Sequence, residues 1–394
     1  MRRGLSYSHI YATACNCIVA ILICLKLMNE TMLYRFHSSE GFFSIIMLYA
    51  YATFAIGSFL MLFVSSKKVS MRVYSVMTLT MMIVVFWYLA SLDVTNTDLW
   101  QLVAFVLLPT VITCVTRLRA KTILTTILVI SIFCVSSLDL ILVVDWRGSI
   151  DMEVSYALLP PILAGIIHFS FYRKEHKWYY LLYIIPVFYL IKLLTYGVRG
   201  PIFCILTTFL LIFILKPESS KKKQRKIFFG AIVILVVTLF YESLLLWLHD
   251  ILSSCGIQLY FIDKFIALIN ENEVSHGRDT LLELALNGFF DAPIFGNGLN
   301  SFEHFTKKIY PHNFLAQLLF EGGLLMFTLF LIPVFIAAKK IYHLSNENSK
   351  IVFIILFSVS VPYFILSASM WTSPLLWLFL GYCINVSSVQ VAKN

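Results

Sequence analysis

Apolar residues run along this chain in blocks of roughly 15–25 residues, separated by short polar or charged breaks. The blocks lie near 8–28, 42–64, 73–92, 99–116, 122–144, 154–171, 180–195, 201–215, 227–247, 313–337, 351–366 and 374–390. A run of this length spans a hydrocarbon core as an α-helix, because lipid offers the backbone no partner outside the helix itself. The pattern predicts an all-α polytopic membrane protein of about twelve transmembrane helices. The first block follows Met1, Arg2 and Arg3, as in a signal peptide. It is too long for one and lacks a small-residue cleavage site behind it, so it reads as an uncleaved first span.

The connections are short with one exception, residues 248–312. This loop divides the chain into 1–247 with spans one to nine, the loop itself, and 313–394 with spans ten to twelve. It is rich in Leu, Ile and Phe, so it reads as ordered. Within it "RDTLLELALNGFF" (278–290) sets Leu281, Leu282, Ala285, Leu286 and Phe289 at helical spacing, predicting an amphipathic helix lying on the membrane surface. "DAPIFGNGLNSF" (291–302) then brings Pro293, Gly296 and Gly298, a turn-forming stretch. Its lone Gly-x-Gly follows no strand, which argues against a nucleotide site.

Composition agrees: 60% of the 394 residues are hydrophobic and 13% charged, against about 25% charged in soluble domains. Mean hydropathy is +0.86. The net charge of +9 changes the picture only through its placement. With the N-terminus cytoplasmic, segments 1–7, 65–72, 117–121, 172–179, 216–226, 339–350 and the C-terminal tail hold 21 of the 30 Lys and Arg residues. That is the positive-inside pattern, with both termini cytoplasmic. It leaves little basis for nucleic-acid binding. The cluster "KPESSKKKQRK" (216–226) reads as an inner loop touching anionic lipid. Seven of the eight cysteines lie in spans, Cys255 lies alone in the loop, and no Cys-x-x-Cys pair suggests zinc or redox chemistry.

Nine cations remain on the outer side, where topology disfavours them: Lys26, Arg35, Arg147, Lys192, Arg199, Lys264, Arg278, Lys307 and Lys308. An anionic ligand is one reason to keep them, and pairing with acids such as Asp145, Asp151 or Asp279 is the other. In "LTYGVRGPIF" (194–203) the flanking spans are about 24 and 22 Å long, short of the roughly 30 Å core. Arg199 therefore sits just below the outer surface, facing a wet cavity or snorkelling to the headgroups. "DWRGSIDMEVSYALLPP" (145–161) offers Arg147, with Asp151 and Glu153 as solvated carboxylates rather than a metal site, since hard cations need more oxygen ligands. His312 stands in "YPHNFLAQLLFEGG" (310–323), where polar chain turns into span ten. Asn313 is placed to cap that helix, and Glu321 within it to orient or pair with a neighbour.

The order "YGVRGP", then "HGRDTLLELALNGFFDAPIFGNGLNSF", then "PHNFLAQLLFEGGLL" resembles the O-antigen polymerase and O-antigen ligase superfamily of bacterial envelopes. The resemblance covers 194–203 and 275–325 specifically, and the rest by hydropathy alone. It implies a GT-C-related multi-pass transferase of the bacterial inner membrane, its active site periplasmic, acting on undecaprenyl-diphosphate-linked glycans. A chain-length regulator is a possible partner. The family arginines map to Arg199 and Arg278, and its histidine to His312. Arg147 matches a further arginine in poorer surroundings, and Val198 stands where the family often has Ser. The implied catalytic residues are His312, Arg278 and Arg199, with Arg147, Asn313 and Tyr310 at the substrate. His304 and His276 read as interfacial loop residues, and so does Tyr310 apart from the resemblance.

That chemistry suits these residue types. A diphosphate leaving group gathers negative charge, which a forked, always-protonated arginine stabilises without metal or cofactor. The acceptor hydroxyl must lose a proton, which a neutral histidine accepts. The positive end of the span-ten helix dipole disfavours imidazolium at His312. The motif details look closer to a polymerase. The alternatives are the ligase, which transfers the glycan to lipid A–core, and a lipid-linked saccharide transporter. A transporter calls for midplane charges on repeated, broken helices, and no internal repeat is visible.

Overall fold

The computed structural model describes residues 7–29, 102–142, 152–173, 179–196, 199–216, 246, 247, 250, 251, 254, 278–298, 300–306 and 310–388. Every regular element among them is helical. In chain order these are α1, Tyr7–Ile23, and a π-helical segment, Leu102–Leu107, leading into α2, Leu108–Val115. There follow α3, Ala120–Leu142, α4, Met152–Ala157, and α5, Leu159–Tyr172. Next are α6, Tyr179–Leu182, α7, Ile184–Tyr196, and α8, Arg199–Leu215. The C-terminal part holds α9, Arg278–Asp291, α10, Ser301–Phe305, α11, Phe314–His343, α12, Glu347–Leu366, and α13, Leu375–Ser388.

Among the described residues three stretches are long and apolar enough to cross a membrane: Val154–Tyr172, Phe314–His343 and Glu347–Leu366. Shorter apolar helices accompany them, among them Ala12–Ile23, Ala120–Val135 and Gly200–Leu215. The protein is a helical membrane protein. The expected spans 42–64 and 73–92 and most of 227–247 lie outside the described residues, as do Arg147, Asp151, Cys255 and His276.

The core forms around α12, against which α3, α5, α8, α11 and α13 all pack. Residues 351–356 of α12 have no exposed side. This is why the segment is apolar all round instead of striped. On what the charge pattern makes the inner side, the turn between α2 and α3 is held by three asparagines, of which Asn385 of α13 donates to the Thr113 and Thr116 carbonyls at 3.1 and 3.3 Å. Asn16 of α1 receives the Arg119 amide at 2.6 Å and donates to the Arg117 carbonyl at 3.3 Å. Asn348 of α12 receives the Ala120 amide at 2.8 Å and donates to the Leu118 carbonyl at 2.9 Å. Asn16 and Asn348 each match both a donor and an acceptor of the backbone turn.

Two expectations need correction. Span ten is not one uninterrupted helix ending near residue 337. α11 runs on to His343 and is broken at Gly323, whose φ of 58° and ψ of −161° are not helical. The α9 helix is where the spacing put it, but it does not lie on lipid alone. Ala285, with Leu281 and Leu284, packs on Phe302, Ala316 and Phe320, while Leu282, Leu286 and Phe290 stay exposed. The apolar face is thus shared between the protein and the outside.

Candidate functional site

The break at Gly323 is built by the loop that follows α9. In a continuous helix the Leu324 and Leu325 amides would bond the Phe320 and Glu321 carbonyls. Here they donate to the loop carbonyls of Pro293 and Ile294, at 2.9 and 3.1 Å. The freed carbonyls of Phe320 and Glu321 accept from Asn297 and Gly298, each at 2.9 Å. Asn297 adds its side chain, Nδ2 donating to the Gly288 carbonyl at 2.8 Å and the Phe320 carbonyl at 2.9 Å. Four loop backbone bonds replace two helical ones, so none of these four groups of α11 is stranded. Only glycine suits position 323, because an added Cβ would meet the Ile294 carbonyl oxygen at 2.5 Å in a left-handed conformation.

Beside the break lies a fully buried carboxyl group. Glu321 Oε1 accepts from Gln317 Nε2 at 3.0 Å. Its Oε2 accepts from Trp371 Nε1 at 2.6 Å and from the Asn300 amide at 3.2 Å. Gln317 in turn accepts from the Met370 amide at 3.2 Å and donates to Ser369 Oγ at 3.3 Å. A buried carboxyl group is tolerated when its lone pairs are occupied, and these donors come from three separate segments. Glu321 therefore fastens the loop and the 369–371 turn to the first part of α11. The sequence marked it as an orienting residue, without naming these partners.

That part of α11 begins at the histidine. Asn313 is the N-cap: its Oδ1 accepts from the Leu315 amide at 3.0 Å and the Ala316 amide at 3.4 Å. His312 precedes it with φ of 51°, a left-handed conformation uncommon outside glycine. Such conformations cluster where a side chain must be aimed. The Tyr310 ring lies 4.4 Å from the His312 ring. Tyr310 donates to the Ser367 carbonyl at 2.8 Å, and Ser367 Oγ shares a 2.8 Å hydrogen bond with Tyr156 OH. The Tyr156 ring lies 4.3 Å from the Tyr363 ring, tilted by 44°. A Cβ on Gly200 would fall 1.7 Å from Tyr156 OH, so the start of α8 is seated on this tyrosine.

The structure thus brings together Tyr310, His312 and Asn313 with the residue that follows Arg199. Arg199 opens α8 and Arg278 opens α9; for both, the description is of the backbone. Gly288, ten residues beyond Arg278, meets the Phe320 ring, which joins α9 to the histidine-bearing half of α11. His304 is exposed near the end of α10. Arg147 falls outside the described residues. Residues that reading the sequence missed are Tyr156, Tyr363 and Ser367. Each sits in an apolar run where tyrosine and serine look like ordinary membrane-helix residues. Among the described residues no three His, Cys, Asp or Glu side chains are grouped to hold a metal ion. No protein-family model matches the chain, and no curated protein matches it.

Proposed function

We propose that this protein is an O-antigen or capsular polysaccharide polymerase. It joins undecaprenyl-diphosphate-linked repeat units at the outer face of a bacterial inner membrane. In this reading the chain has about twelve spans and a GT-C-related arrangement, with both termini cytoplasmic. The observation that carries it is the contact path from Gly200 through Tyr156, Ser367 and Tyr310 to His312. That path ties the Gly-Val-Arg-Gly turn to the Pro-His-Asn element, the two motifs on which the resemblance rests.

His312 takes the proton from an acceptor sugar hydroxyl, and the oxygen attacks the anomeric carbon of the donor. The bond from that carbon to the diphosphate oxygen breaks, and the diphosphate leaves with the electron pair. Arg199 and Arg278 stabilise the charge gathering on it. The rigid cap at Asn313 and the docked loop keep the base from drifting, which matters because small misplacements lose orders of magnitude in rate.

The test is incubation of purified protein with undecaprenyl-diphosphate-linked repeat units. A ladder of products is expected, and no elongation would sink the reading. A deletion strain separates the two family activities. Single-repeat lipopolysaccharide or absent long capsule chains fit the polymerase. Bare core with long chains accumulating on undecaprenyl diphosphate identifies a ligase instead.

A further inference from the structure

We propose that the loop that splits α11 is a membrane wedge. Its tip, Phe290, Ile294 and Phe295, enters the hydrocarbon of the leaflet on the His312 side and packs among lipid acyl chains. The depth of the tip follows from the hydrogen bonds at the break. The Leu324 and Leu325 amides donate to the Pro293 and Ile294 carbonyls at 2.9 and 3.1 Å, so the loop sits at the height of that turn of α11. From Leu324 to Ala338, just before the paired Lys339 and Lys340, the helix covers about 22 Å at 1.5 Å per residue. Ile332 and Phe335 are exposed along this stretch, as contact with lipid requires. The hydrocarbon core is about 30 Å thick, so the break lies roughly 8 Å inside the edge opposite the lysines, and tilt of the helix only deepens it.

What the loop presents at this depth is apolar. Phe290 is 71% exposed, Ile294 60% and Phe295 65%, and they adjoin Leu324 on the open side of α11. Along α9, Leu282 and Leu286 lead to Phe290 at a spacing of four, one exposed apolar stripe. The exposed Glu283, Asn287 and Asp291 form a second stripe, about 100° further around the helix. Ala285 marks a third side, against Phe320. Protein, hydrocarbon and water each have a face, and a depth of about 8 Å falls within the 5–10 Å to which interfacial helices sink. Irregular backbone survives in lipid only when the protein satisfies it. Here the amides of Ala292, Gly296, Asn297 and Gly298 and the carbonyls of Pro293 and Ile294 are all bonded within the chain, so it is side chains that reach the lipid.

The test uses full-length protein in phosphatidylcholine nanodiscs, with the photocrosslinker benzoylphenylalanine placed at position 295, at Phe335 as the lipid-facing control, or at Asn287 as the water-facing one. Irradiation is expected to add the mass of one phosphatidylcholine to the peptides carrying 295 and 335, and not to the one carrying 287. Phospholipase C should then release phosphocholine and leave diacylglycerol on the peptide with residue 295, which shows attachment through an acyl chain. If the probe at 295 prevents folding, the same probe at Ile294 or Phe290 gives the same readout. Retention of phosphocholine with loss of the diacylglycerol would put the tip at the headgroups and overturn the proposal. A crosslink to another segment of the chain or to a second copy overturns it as well, since the tip would then be covered by protein. So does the absence of any lipid adduct, or equal labelling at 287.

Discussion

The two halves of α11 are made of similar apolar sequence and live in different surroundings. Residues 314–322 are enclosed, with Phe314, Gln317, Phe320 and Glu321 all buried against the loop, the 369–371 turn and α9. Residues 324–343 bury one stripe, Met326, Phe330, Ala337 and Ile341, and leave Leu324, Ile332 and Phe335 exposed. The first half contains polar side chains because protein donors satisfy them; the second half has no such shelter and, apart from Thr328 and its 339–343 end, is apolar on its open side. The boundary is a single glycine. Apolar character alone therefore does not tell a membrane-facing helix from one that supports a site.

The sharpest way to break this contrast is to change the histidine at the head of the enclosed half. His312→Asn keeps a residue that accepts the left-handed conformation, so the fold is expected to persist while turnover falls about 10²–10⁴-fold. Turnover within a few-fold of wild type would remove the histidine from the chemistry. Alanine at Arg199 or Arg278 is expected to cost about 10²–10³-fold, with lysine restoring part of it. Normal product from both alanine variants would end the diphosphate assignment.

Stability changes follow in order. Glu321→Ala strips the acceptor from Gln317, Trp371 and Asn300 together, and thermal melting in detergent should report a loss of about 3 kcal/mol or more. Glu321→Gln, which keeps one acceptor oxygen, should lose less; equal melting of alanine variant and wild type would contradict the network. Gly323→Ala forces an L-residue to φ of 58°, worth about 1–2 kcal/mol before the clash with Ile294 is counted. The smallest effect belongs to the open half: Phe335→Ala, at a side chain 72% exposed, should shift stability by under about 0.5 kcal/mol. A large loss there would mean that the second half is covered after all.

The sequence shows the helices well where apolar runs meet charged breaks, as at 154–171 and 351–366, both within a few residues of the observed helices. It does not show the break in span ten. Gly322 and Gly323 were visible, but a glycine pair is also common inside membrane helices. What makes it a break is the loop 293–298, nearly thirty residues earlier, which supplies the replacement bonds. Likewise the spacing in 278–290 marks an apolar face without saying that Phe320 covers part of it. For the candidate site, the Asn313 cap was legible as cap chemistry, and Arg199, Arg278 and His312 were singled out by motif alone. Tyr156, Tyr363 and Ser367 were not, because their meaning lies in hydrogen bonds across more than two hundred residues, as between Tyr156 and Ser367.

The asparagine clamp on the α2–α3 turn has a consequence for the order of biosynthesis. Asn16 is already in place when residues 117 and 119 emerge, so one side of the turn closes early. The other side waits for Asn348, whose partners are Leu118 and Ala120, 230 and 228 positions earlier in the chain. At about 5–20 residues per second this interval is on the order of ten to forty seconds. During that time the Leu118 carbonyl and Ala120 amide must rely on other partners such as water. The early helices are thus held in a provisional arrangement, and the arrival of α12 both completes the turn and supplies the helix around which the rest of the bundle packs.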